Sequence, residues 1–127
     1  MSAGRYDIIM EQGATFDLPL RYKDSTGAAV DLSDYSASMQ VRESAQSSTV
    51  LVEFTSNLSS NGFIFMSGPS EDREDSANGN LRIYMTSANS AAVPALRGRY
   101  DLELTDSTGY TIRLLEGQFE VEAEITR

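Results

Sequence analysis

The chain reads as an all-β protein, an antiparallel sandwich or barrel of about eight short strands with one short helical turn. Three observations predict this. Hydrophobicity alternates with a period of two along most of the sequence, the alternating segments are short, and clusters of Gly, Ser, Asn and Asp separate them. The strictest cases are TFDLPLRY, RYDLELT and QFEVEAEITR. In the first, Phe16, Leu18, Leu20 and Tyr22 alternate with Thr15, Asp17, Pro19 and Arg21. In the second, Tyr100, Leu102 and Leu104 alternate with Arg99, Asp101, Glu103 and Thr105. In the third, Phe119, Val121, Ala123 and Ile125 alternate with Gln118 and three glutamates. Strands of this kind bury one face and wet the other.

The remaining strands, in chain order, are YDIIMEQ, SASMQVRE, VLVEFT, FIFM and LRIYMT. Their phase directs Phe16, Tyr22, Tyr35, Tyr84, Tyr100 and Phe119 into the core. SANSAAVPALRG, residues 87–98, predicts one or two helical turns, capped at Ser87 or Ser90 and broken before Pro94. GPSEDREDSANGN, residues 68–80, has no large apolar residue and predicts a protruding polar loop with a turn at Asn78-Gly79. A chain of 127 residues fits one domain spanning 1–127.

The tetrapeptide DSTG occurs twice, at 24–27 and at 106–109. Each copy suits a three-residue hairpin loop with Gly27 or Gly109 in the left-handed region. Asp24 or Asp106 then accepts hydrogen bonds from the amides of the turn. In the second copy this register sets Leu104 opposite Ile112, Leu102 opposite Leu114, and Glu103 opposite Arg113 as an ion pair. In the first it sets Tyr22 opposite Val30 and Leu20 opposite Leu32. A slip of one residue would turn apolar side chains to water. Asp24, Gly27, Asp106 and Gly109 are therefore read as structural turn residues that hold register.

Composition narrows the chemistry. There is no cysteine and no histidine, so disulfides, thiolate zinc sites and the commonest general base are excluded. Nineteen acidic residues against ten basic ones give a net charge of -9. That sign opposes binding to nucleic acid or to an anionic membrane, both of which call for Lys and Arg. The run Glu71, Asp72, Glu74, Asp75 lacks the alternating spacing of a calcium loop and holds Arg73 at its centre, so it reads as solvated. Lys23 is the only lysine and lies beside a turn. No catalytic, cofactor-binding or metal-binding residue is assigned, and no enzymatic activity is expected.

The segment YDLELTDSTGYTIRLLEGQFEVEAEITR resembles the ending of small all-β virion proteins encoded in the tail and baseplate regions of tailed bacteriophages. GATFDLPL, the first DSTG turn and VDLSDYSASMQVR add to the resemblance. They are also similar to the immunoglobulin-like N-terminal domain of upper baseplate proteins. The resemblance implies an immunoglobulin-like sandwich, a location in the virion, and a structural role in tail, neck or baseplate. The implied partners are other virion proteins, met in a symmetric oligomer. A capsid decoration protein and a carbohydrate-binding module are the alternatives. Upper baseplate proteins continue into a receptor-binding module, whereas this chain stops at Arg127, so the expectation is a stand-alone building block.

Overall fold

The computed structural model describes residues 4–57, 60–66 and 79–125. The acidic run at 71–75 and the loop expected at 68–80, apart from Gly79 and Asn80, lie outside the described residues. Among the described residues nine strands form one mixed sheet: β1 (Gly4–Arg5), β2 (Ile8–Glu11), β3 (Phe16–Arg21), β4 (Ser36–Arg42), β5 (Val52–Thr55), β6 (Gly62–Phe65), β7 (Asn80–Met85), β8 (Leu96–Thr105) and β9 (Thr111–Glu122). One short helix, α1 (Ser87–Ala91), crosses between β7 and β8. The order across the sheet is β1-β9-β8-β4-β5-β6-β7-β3, with β2 continuing β1 along the same side of β9.

The sheet curls until its two halves face each other over a single core, which gives an all-β, sandwich-like fold. The bend falls at β5 and β6, joined by only two parallel pairs, Phe54 with Gly62 and Thr55 with Phe63. Gly62 permits that approach, because a Cβ there would lie 2.3 Å from the Phe54 ring. Inside, Phe16 of β3 meets Phe54 of β5 and Phe119 of β9, with ring centroids 5.9 and 6.2 Å apart. Tyr100 stands edge-on to Phe119 at 6.3 Å. Around these rings Met10, Met39, Val41, Ile64, Leu81, Ile83, Leu102 and Leu104 are buried. Apolar burial of this kind is the main term favouring the folded state.

Where the structure departs from alternation, the cause is local. Pairing is parallel at β1–β9, β2–β9 and β5–β6, because a period of two sets faces and is blind to strand direction. Tyr84 lies on the outer face of β7, beside Phe65 at 5.5 Å, while Leu81, Ile83 and Met85 take the core. The strand phase thus sends Tyr84 outward, against expectation. β9 ends at Glu122, so Ala123 and Ile125 have no ladder to hold them inward; Ile125 is 94% exposed. A β-bulge between Leu102 and Glu103 pairs Leu102 with Leu115 instead of Leu114. The bulge absorbs the consecutive leucines, and both end up half-buried. Leu20 pairs with Leu81 of β7, and the first DSTG hairpin extends only to the Tyr22–Val30 backbone bond.

The helix cap also shifts. Thr86 is the N-cap, its hydroxyl accepting from the Asn89 amide at 3.1 Å. The cap sits immediately after the last β7 ladder residue, and Ser90 moves inside the helix, fully buried.

Candidate interaction surface

The four turn residues belong to two separate hairpins and do not converge on one site. At the first, Asp24 Oδ1 accepts from the Thr26 amide at 2.9 Å, the Ala28 amide at 3.1 Å and the Thr26 hydroxyl at 2.5 Å. At the second, Asp106 Oδ1 accepts from the Thr108 amide, the Tyr110 amide and the Thr108 hydroxyl at 2.9, 2.9 and 2.7 Å. Gly27 and Gly109 sit at φ +87° and +91°, in the left-handed region that a side chain disfavours. Both carboxyls are held below the ordinary value of 3.8, chiefly by the neighbouring threonine hydroxyl and then by backbone amides. Arg113 stands opposite Glu103 but pairs with Asp101 at 3.2 Å and Glu116 at 3.3 Å.

A pH dependence follows. For a carboxyl depressed in the native state, the unfolded chain binds more protons as the pH falls. The stabilisation is therefore complete above the unfolded value and is lost as the pH drops through the native one. In a melting-temperature profile, the double variant Asp24→Asn, Asp106→Asn should show a flatter decline below the ordinary 3.8 than the parent. Parallel acid limbs would contradict this.

A concavity of about 520 Å³ lies on the outer face of β4, β8 and β9. Part of its polar lining is already paired. Gln40 donates to Glu53 at 2.8 Å, and Arg42 donates to Gln40 and to the Ser47 carbonyl, each at 2.8 Å. Arg113 is held by its two acids, as above.

A smaller groove of about 360 Å³ follows the seam where the curled sheet stays open, between β2 and β3. Its two banks are consecutive in sequence, joined by the corner 12–15. Ser90 fixes that corner: its hydroxyl accepts from the Gly13 amide at 3.0 Å and donates to the Ala14 carbonyl at 2.7 Å. A buried group left without such a partner costs about 1–3 kcal/mol. Gln12 ties the corner further, donating to the Val93 carbonyl at 2.8 Å and accepting from the Glu124 amide at 2.9 Å. Nothing in the alternation signals Ser90 as a clamp, because the two corner groups it holds lie more than 70 residues away.

Backbone direction on each bank can be read from the ladders. Tyr6 and Gln12 donate to the Glu116 and Glu122 carbonyls, so the even-numbered residues of β2 bond to β9, and Asp7, Ile9 and Glu11 turn their backbone groups toward the seam. On β3, Tyr22 donates to Gly79, so Phe16, Leu18 and Leu20 bond to β7 while Asp17, Pro19 and Arg21 turn outward. Pro19 is tolerated for that reason: its missing N–H falls on the side away from β7. The row Phe16, Leu18, Leu20 is only half-buried, unlike the core residues of the central strands. Ile9 is 60% exposed.

At the head of the seam β1 and β2 kink. The Tyr6 carbonyl accepts from the buried Tyr100 hydroxyl, and Asp7 Oδ1 accepts from the Gln118 amide at 2.9 Å. Burial, and after it the Asp7 carboxylate, push the Tyr100 hydroxyl well above its ordinary pKa, so it remains a donor.

Among the described residues, no group of three or more acidic side chains is placed to hold a metal ion, and no helix is long and apolar enough to cross a membrane. No protein-family model matches the chain, and no curated protein is similar to it in sequence. Among solved structures it is similar to the N-terminal domain of phage TP901-1 ORF48, at 12% identity and a TM-score of 0.46, over 92% of this chain and 83% of that one. A likeness at that level leaves function to be argued from the surface of this chain.

Proposed function

We propose that this chain is a structural subunit of a bacteriophage particle, placed in the tail, neck or baseplate, and that it works by protein–protein assembly and performs no reaction. The virion assignment is supported by the strand and turn grammar of YDLELTDSTGYTIRLLEGQFEVEAEITR, which builds the β8–β9 hairpin. The assembly mechanism is supported by the open seam, where two strand edges with outward-turned backbone groups flank an exposed isoleucine. Edges of this kind accept strands from neighbours. In the ring symmetry expected of a tail or baseplate, each copy repeats the same contact.

The test is mass spectrometry of purified particles separated into heads and tails. The chain is expected in the tail fraction at a fixed copy number. Recovery with heads would assign it to capsid decoration, and absence from both fractions would remove the virion reading. A carbohydrate-binding role has one observation in its favour, the cluster of Phe63, Phe65 and Tyr84 on the outer face of β6 and β7. On a glycan array the assembly reading expects no saturable signal.

A further inference from the structure

Resting on the assembly reading, we propose that the seam between β2 and β3 is a docking slot for an extended basic segment of a partner protein, which enters as an added strand. The slot has what such a strand requires. On the β2 bank the backbone groups of Ile9 point into it, with no neighbouring strand on that side among the described residues. On the floor, Phe16, Leu18 and Ile8 offer apolar surface, the first two half-buried. The incoming side chains that face inward would cover that row, and those that face outward would lie between Ile9 and Glu11 on one bank and Asp17 on the other.

Charge decides the occupant. Among the described residues the lining includes Asp7, Glu11 and Asp17 and no Lys or Arg. Arg5 reaches Asp7 at 3.6 Å, and Arg82 reaches Asp17 at 2.9 Å; among the described residues Glu11 makes no ion pair. A second copy of this chain fits poorly. Two β2 strands paired antiparallel about Ile9 would set Asp7 against Glu11 twice, and paired parallel they would set each acid against itself. Like charges directly opposite destabilise a strand pair. The β3 edge of another copy would bring Asp17, and Pro19 without a donor. A segment alternating basic and apolar residues meets both requirements, with apolar side chains on the floor and cations beside Glu11.

The probe is a fluorescein-labelled octapeptide of alternating lysine and valine, titrated with the full chain and read by anisotropy. Saturable binding is expected with the lysine–valine peptide and at least about tenfold weaker binding with a glutamate–valine peptide, a factor of ten being about 1.4 kcal/mol. N-methylation of alternate residues leaves charge and side chains unchanged but removes ladder donors, and it should also weaken binding about tenfold. Ile9→Pro deletes an amide that faces the slot and not β9, and should do the same. Should Ile9→Pro melt early, Glu11→Lys and the N-methylated peptide on the unaltered chain still decide.

Binding indifferent to N-methylation, or no binding at all, would overturn the slot. A dimer of the chain alone that Ile9→Pro abolishes would hand the seam to a second copy and overturn the basic partner. The titration uses the isolated chain, so its outcome is independent of whether the chain is found in particles.

Discussion

Phe119→Ala should destabilise the protein by about 3–5 kcal/mol, the range for truncating a buried aromatic ring. Phe119 is fully buried and is the ring shared by both halves of the curled sheet. It lies 6.2 Å from Phe16, 6.2 Å from Phe54 and 6.3 Å from Tyr100. These neighbours come from β3, β5 and β8, so no single strand can move to fill the space. For a chain of this size the loss corresponds to a fall in melting temperature of about 10–20 °C. Tyr84→Ala, on the outer face of β7, supplies the contrast and should lower it by much less. Calorimetry of the two variants checks the claim. Equal shifts would mean that the aromatic hub is not where the core holds together.

Gly117→Ala is expected to release the N-terminal edge while leaving the rest of the sheet standing. A Cβ at Gly117 would lie 2.3 Å from the Tyr6 carbonyl oxygen and 2.9 Å from Asp7 Oδ1. The first of these is backbone and cannot rotate away. Relief requires moving the kink between β1 and β2, which disrupts the 3.0 Å bond from the Tyr6 amide to the Glu116 carbonyl and the 2.9 Å bond from the Gln118 amide to Asp7. The bond from the Tyr100 hydroxyl to the Tyr6 carbonyl is lost with them, and the buried hydroxyl then lacks its partner. At about 0.5–1.5 kcal/mol per bond the three together are worth about 1.5–4.5 kcal/mol. Hydrogen exchange should show faster exchange at the Ile8, Met10 and Gln12 amides, with protection retained in β4 and β8. Uniform loss of protection would show that the edge and the sheet unfold as one unit.

Much of this architecture was legible in the residues. Alternation placed Leu18, Leu102, Leu104, Phe119 and Val121 on the inward face, and the spacing around the second DSTG turn set Leu104 against Ile112. Those features were readable because they are local. A period of two assigns faces over a few residues, and an Asp three residues before a Gly closes a tight turn whatever lies beyond it. Tyr84 and Ile125 show where the signal fails. An aromatic residue next to a strand's apolar row says nothing about which row reaches the core, and alternation continues in letters beyond the point where the ladder stops at Glu122.

By itself, then, the sequence determined an all-β chain, the faces of its central strands and the residues of its turns. The tertiary structure alone decided that β2 runs parallel to β9, that Gly117 must lack a side chain beneath Tyr6, that Ser90 clamps the corner at Gly13 and Ala14, and that β2 and β3 end as facing edges unpaired among the described residues. The reason is range. The first three depend on groups some 70 to 110 residues apart in the chain, brought together only when the sheet curls, and no short-period pattern in the residues records where that curl leaves its opening.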